Sequence, residues 1–231
     1  MPDSANRAAG SGLRIEPHKS SRIGAAMKSR GRLTLSHLAA VWLIAATAGL
    51  LLVADYDSKP GPPARPPQHW PSGVSLPLNR SKATVLMFLH PRCPCSRASL
   101  FELARLAHDE RDTLEMQVVF AQPEEVAVDW SQSDLWESAV ANCDFRVIID
   151  QGGTLAREFR VQTSGQALVY DRAGVLQFEG GITSGRGHAG DSFGRSSIRA
   201  IAAGEVARAP AQCSTFGCSL SAKSPPENLG H

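Results

Sequence analysis

Net charge is nearly absent from this chain: 24 Lys and Arg against 22 Asp and Glu leave +2 over 231 residues. A polyanion such as nucleic acid finds no bulk attraction here, so nucleic acid is not an expected partner. No internal repeat is visible, which excludes a solenoid or propeller of fixed period. Gly180-Gly181 and the glycines of 185–190 are not followed by Gly-Lys-Ser/Thr, so they make no phosphate loop and read as a flexible loop. Between Leu35 and Ala54 there is no Asp, Glu, Lys or Arg.

That uncharged run, LSHLAAVWLIAATAGLLLVA, is long enough to cross roughly 30 Å of hydrocarbon as a helix. Before it the charge is one-sided, with Arg7, Arg14, Lys19, Arg22, Lys28, Arg30 and Arg32 against Asp3 and Glu16. The positive-inside rule keeps this basic arm, residues 1–34, in the cytoplasm and places everything after Asp55 outside. The expectation is a single-pass inner-membrane protein with a transmembrane signal-anchor at 35–54 and a periplasmic domain. A cleaved signal peptide competes, but Val53-Ala54-Asp55 offers no clear small-x-small site. Met27, followed by Lys28, Arg30 and Arg32, is an alternative start to Met1.

Residues 55–73, with Pro60, Pro62, Pro63, Pro66, Pro67 and Pro71, predict an extended, semi-rigid linker. The segment 205–231 has little periodicity and is expected to be an irregular, cysteine-containing tail. Between them, 74–204 alternates strand and helix signals. Ala83–Leu89 is a continuous apolar run, as in a buried parallel strand. Ser96–His108 gathers Leu100, Leu103, Ala104 and Ala107 on one helical face. Strands are expected at 115–121 and 145–149, helices at 133–141 and 154–159. Strands at 166–170 and 175–179 flank Asp171-Arg172-Ala173-Gly174, a hairpin signal. A last helix at 192–203 should bury Phe193, Ile198, Ile201 and Ala202. The order β-α-β-α-β-(α)-β-β-α predicts an α/β fold: a mixed sheet, parallel then antiparallel, with helices on both faces.

Five cysteines, four of them in two close pairs, suit an oxidising compartment. Cys93 and Cys95 lie one residue apart, after the first apolar strand and at the start of a helix. The unpaired N–H groups and the dipole there favour thiolate over thiol. Two chemistries follow from such a pair, thiol–disulfide exchange or capture of a soft metal ion. A copper site would use Cys93, Cys95 and His188 of Gly187-His188-Ala189-Gly190, with His90 a nearer alternative; on the redox reading no cofactor is needed. His90 and Arg92 are placed to tune the thiol. Cys213 and Cys218 are expected to form a small structural disulfide or, failing that, to relay to the first pair. Cys143 is expected to be packed and inert, and Asp150 and Asp171 to make local hydrogen bonds at turns.

The run Phe88-Leu89-His90-Pro91-Arg92-Cys93-Pro94-Cys95, with its proline before the second thiol and a closing hairpin and helix, resembles the thioredoxin fold. HPRCPCSR, Thr163-Ser164-Gly165 and GGITSGRGHAGD are similar to the RedB-like group of thioredoxin-like proteins, over residues 74–204. The resemblance implies a three-layer α/β/α domain, with Cys93 as nucleophile and Cys95 as resolving thiol. It implies substrate docking at Thr163, Ser164 and Gly165, where Gly165 holds the place of the family's cis-proline. The partner it implies is an extracytoplasmic thiol or disulfide protein. Other readings are a copper-delivering protein of the same fold and a non-catalytic docking domain.

Overall fold

The computed structural model describes residues 21–124, 126, 128–205 and 210–221. Residues 1–20 of the basic arm, and 206–209 and 222–231 of the tail, lie outside the described residues. The chain divides into two units, Met1–Val53 and Ala54–His231.

The first unit is dominated by helix α1, Ser21–Ser58, longer at both ends than the expected 35–54 segment. Its stretch Thr34–Ser58 has a mean hydropathy of 2.1 and is long and apolar enough to cross a membrane. Leu35, Trp42, Ile44 and Leu52 expose their side chains.

The second unit holds a six-stranded sheet. Strands β1 (Ala83–Leu89), β2 (Leu114–Gln122) and β3 (Phe145–Gln151) are mutually parallel. Strand β4 (Gln166–Tyr170) is antiparallel to both β1 and β5 (Leu176–Gly181), and the short β6 (Ala211–Gln212) lies parallel to β5. Their spatial order is β3-β2-β1-β4-β5-β6. β1 lies centrally and is buried along nearly its whole length, which is why its sequence is continuously apolar rather than alternating. Its side chains divide between two cores. Val85, Met87 and Leu89 meet Leu100, Leu103 and Leu106 of α2 (Ser96–Asp109), Leu135 and Ala139 of α3 (Asp134–Val140), and Ile198 of α5 (Phe193–Ala202). Leu86 and Phe88 point the other way, to Leu155 and Ala156 of α4 (Thr154–Glu158) and to Phe159. A three-layer α/β/α arrangement results, as the sequence predicts.

Asp150, one residue before the end of β3, caps the start of α4 with its side chain. Its two carboxylate oxygens accept from the N–H groups of Leu155 (2.8 Å) and Ala156 (2.9 Å), satisfying donors that the first turn leaves unpaired. Asp150→Ala is expected to cost about 2 kcal/mol, through the lost cap and two buried N–H groups left without an acceptor. A urea unfolding midpoint measures this, with an unchanged slope.

Several expectations are corrected. The linker at 55–73 is not free along its length: Trp70 packs edge-on to Phe159 and Tyr170 (centroids 5.2 Å from each), and its N–H donates to the Gly174 carbonyl. An aromatic side chain in the linker gains more from covering the sheet than from solvent. The tail is not irregular throughout, since β6 joins the sheet and Ser219 bridges to Thr163. Phe193 is 63% exposed because it occupies the first turn of α5, off the face that carries Ile198. Cys143 is exposed, because it lies in the turn before the edge strand β3.

Candidate thiol site

The C-terminal end of β1 delivers the chain to the start of α2, and Cys93 lies in the two-turn crossing between them. Its N–H donates to the His90 carbonyl (3.1 Å), and its own carbonyl accepts from Ser96 N–H (3.1 Å). Cys95 is the N-cap residue of α2, already in helical backbone geometry. Pro94 comes where a missing N–H costs nothing. The Cys93 side chain is buried, at 2% exposure, and Cys95 is partly open.

What faces Cys93 is the tail. The Cys93 and Cys218 sulfurs lie 2.8 Å apart across 125 residues of sequence, and both are free thiols. The expected Cys213–Cys218 disulfide is therefore not made. Cys213 instead donates its thiol proton to the Gly181 carbonyl (3.0 Å), and burial pushes its pKa up to about 11. The Cys93 pKa is lowered to about 4, first by the hydrogen bond from Cys218 and next, against the opposing effect of burial, by Ser96. The pKa of Cys218 rises for the same reason, because its proton is shared with Cys93. The two thiols therefore titrate as a pair, the contact favouring the thiolate at Cys93 and the thiol at Cys218. Cys95 is pushed up, mainly by burial and then by the charge on Cys93, while Arg186 acts in the opposite direction.

His90 and Arg92, expected to tune the thiol, do something else. The His90 imidazole is buried, accepts from Arg92 N–H at Nδ1 (3.2 Å) and stacks edge-on against Trp130. The Arg92 guanidinium lies 5.2 Å from the centre of the same indole. Both shape the rim beside the thiols; the charge on Cys93 is set by Cys218 and Ser96.

The segment expected to dock substrate does lie against the thiols. Ser164 Oγ accepts from His90 N–H (2.7 Å) and shares a hydrogen bond with Ser96 Oγ (2.6 Å), tying β1, α2 and the approach to β4 together. Gly165 N–H donates to the Phe88 carbonyl (2.8 Å). Gly165 adopts φ +88°, which proline cannot reach, and a Cβ there would press on Ser99 Oγ. Thr163 is buried, and its hydroxyl donates to the Pro62 carbonyl.

His188 is exposed, with Nδ1 2.8 Å from the Arg186 carbonyl. Among the described residues no three His, Cys, Asp or Glu side chains are grouped to hold a metal ion, Cys93, Cys95 and His188 of the alternative copper reading included. Arg186 is the residue of this loop that reaches the site. Its guanidinium donates to the carbonyls of Gly217 (2.8 Å), Lys59 (3.1 Å) and Tyr56 (3.2 Å), and it bears on Cys95. Neither Arg186 nor Ser96 carries a sequence signal of its role; for Cys218 the signal was its pairing with Cys213, read first as a structural disulfide and only second as a relay.

No family model matches the chain, and a comparison with curated proteins gives no match. Among solved structures, an uncharacterised conserved protein from Geobacillus kaustophilus is similar at 21% identity and a TM-score of 0.51, covering 71% of this chain and 99% of its own. A hypothetical protein from Sinorhizobium meliloti is similar at 18% identity and a TM-score of 0.52, covering 72% and 96%. An exposed lipoprotein thioredoxin from Streptococcus pneumoniae reaches 18% identity and a TM-score of 0.41, covering 54% and 86%. Three parallel strands continued by an antiparallel hairpin, with thiols between the central strand and its helix, give this chain a thioredoxin-like fold.

Proposed function

We propose that this protein is a membrane-anchored thiol–disulfide oxidoreductase whose nucleophile is Cys93. One observation carries the reading: Cys93 lies at the head of α2 with the Cys218 sulfur 2.8 Å from its own, a contact that together with Ser96 lowers the Cys93 pKa and favours its thiolate. The Cys93 thiolate attacks one sulfur of a disulfide in a partner protein. A Cys93–partner bond forms, the partner's own S–S bond breaks, and one partner thiolate leaves. A second thiol of this chain then attacks Cys93, and the other partner sulfur leaves as a thiol. Two electrons pass from this chain to the partner, and the same steps run in reverse oxidise a partner dithiol.

The basic arm, residues 1–34, and the uncharged run 35–54 that follows it support an inner-membrane position with the thioredoxin-like domain on the periplasmic side. The partner is then a thiol or disulfide protein of that compartment. Cys95, two residues beyond the nucleophile in the Cys-Pro-Cys run, serves on this reading as a second thiol.

The test is reaction of the reduced full chain, in detergent, with oxidised glutathione. Wild type is expected to lose two thiols per chain, and Cys93→Ser to react at the background rate of an exposed thiol such as Cys143. Equal reaction in Cys93→Ser would remove the redox role and leave a docking function.

A further inference from the structure

The tail is the least patterned part of the sequence, yet three hydrogen bonds fix it beside the thiols. Ser164 N–H donates to the Cys218 carbonyl (2.8 Å), and Leu220 N–H donates to the Gln162 carbonyl (2.9 Å). Thr163 and Ser219 pair in antiparallel register. Arg186 Nη1 donates to the Gly217 carbonyl (2.8 Å). Gly217 itself lies so close to the Ser164 carbonyl that a Cβ there would collide with it. Residues 217–220 thus run extended along 162–164, as a separate polypeptide adds itself to a strand edge, with main-chain bonds for affinity and side chains for specificity. The side chain this pairing sets against Cys93 is a cysteine.

We propose that Cys218 is the thiol that resolves a mixed disulfide on Cys93, and that residues 217–220 occupy the docking edge at 162–164 until an incoming polypeptide displaces them. The inference rests on the redox reading of Cys93. After the partner has been captured as a Cys93–partner disulfide, the tail returns to its edge. Cys218 sulfur attacks Cys93 sulfur, a Cys93–Cys218 bond forms, and the Cys93–partner bond breaks. The partner sulfur leaves with the electron pair and takes up the proton that Cys218 gives up. In reverse, a partner thiolate attacks Cys93 of the Cys93–Cys218 disulfide and releases Cys218.

Capture of the partner also removes what keeps Cys218 protonated. Its pKa is raised first by the hydrogen bond to the Cys93 thiolate, and that thiolate no longer exists in the mixed disulfide. For Cys95 the first cause is burial, which persists. Of the two thiols near Cys93, Cys218 is therefore the one that the mixed disulfide activates more.

The experiment compares the reduced full chain with Cys95→Ser, Cys218→Ser and Gly217→Val, each in detergent. Each is mixed with oxidised glutathione, quenched with acid at intervals and mapped by peptide mass. Wild type and Cys95→Ser are expected to yield a Cys93–Cys218 disulfide. Cys218→Ser is expected to hold glutathione on Cys93 for longer by on the order of tenfold or more, because the thiol already in place is gone. Gly217→Val, which pushes the tail from Ser164, is expected to capture glutathione faster and to resolve it more slowly. If Cys218→Ser resolves at the wild-type rate and a Cys93–Cys95 disulfide is mapped, the inference is overturned and the redox reading stands. If no variant forms an adduct on Cys93, both fall.

Discussion

In the reduced protein the Cys93 thiolate, followed by its ultraviolet absorbance, is expected to titrate near pH 4, and Cys218→Ala to move that midpoint upward, toward the value of a free cysteine. The largest cause of the lowered pKa is the proton offered by Cys218; Ser96 and the helix start remain in the variant and keep the value below that of a free cysteine. Absorbance is a better readout than alkylation. Cys93 is only 2% exposed, and a thiolate of low pKa is also a weaker nucleophile, so rates mix several effects. The folded pKa lies below the unfolded value of about 8.5, so this thiolate stabilises the reduced fold fully only above that pH. The contribution falls away as pH drops through the interval down to about 4. Reduced wild type is therefore expected to lose stability on acidification across that interval, and Cys218→Ala to lose much less. A midpoint for Cys93 unmoved in Cys218→Ala would assign the low pKa to the helix start alone.

Glu102→Ala is expected to cost about 3 kcal/mol or more and to lower the melting temperature by about 10 °C. Glu102 sits in α2 with its side chain wholly buried, 2.6 Å from the guanidinium of Arg195 in α5, which is itself 8% exposed. It also accepts from Gly190 N–H (2.8 Å). Removing the carboxylate leaves a buried cation with only the exposed Asp191 at 3.0 Å, and a backbone donor with no acceptor. The double variant Glu102→Leu/Arg195→Met is expected to recover most of the loss, since an apolar pair of similar volume has no charge to desolvate. A double variant as unstable as the single one would mean that packing around α2, and not the unpaired charge, sets the cost.

The sheet was legible because local patterns sufficed. Ala83–Leu89 is apolar without interruption since both faces of β1 are covered, and Asp171 forms the hairpin turn by accepting from Ala173 and Val175 N–H. The head of α2 was equally readable, as two thiols after a buried strand. The third thiol was not. Cys218 reaches Cys93 through backbone pairing of 162–164 with 218–220, and pairing through main-chain groups leaves little trace in side-chain identity. Trp70 misled for the opposite reason: its prolines describe the local conformation of the linker correctly, while the aromatic contact that binds it to the sheet is long-range.

That contact fixes where a shortened protein could begin. A version starting at residue 74, where the sequence pattern first becomes regular, would discard Trp70 and the backbone bonds from Gln68 to Leu176 and from Trp70 to Gly174. Phe159 and Tyr170 would lose the ring that covers them, a loss on the scale of a large aromatic deletion, about 3 to 5 kcal/mol. A soluble fragment meant for crystallisation or for partner screening should start ahead of Pro67, whose carbonyl also takes the Tyr170 hydroxyl proton.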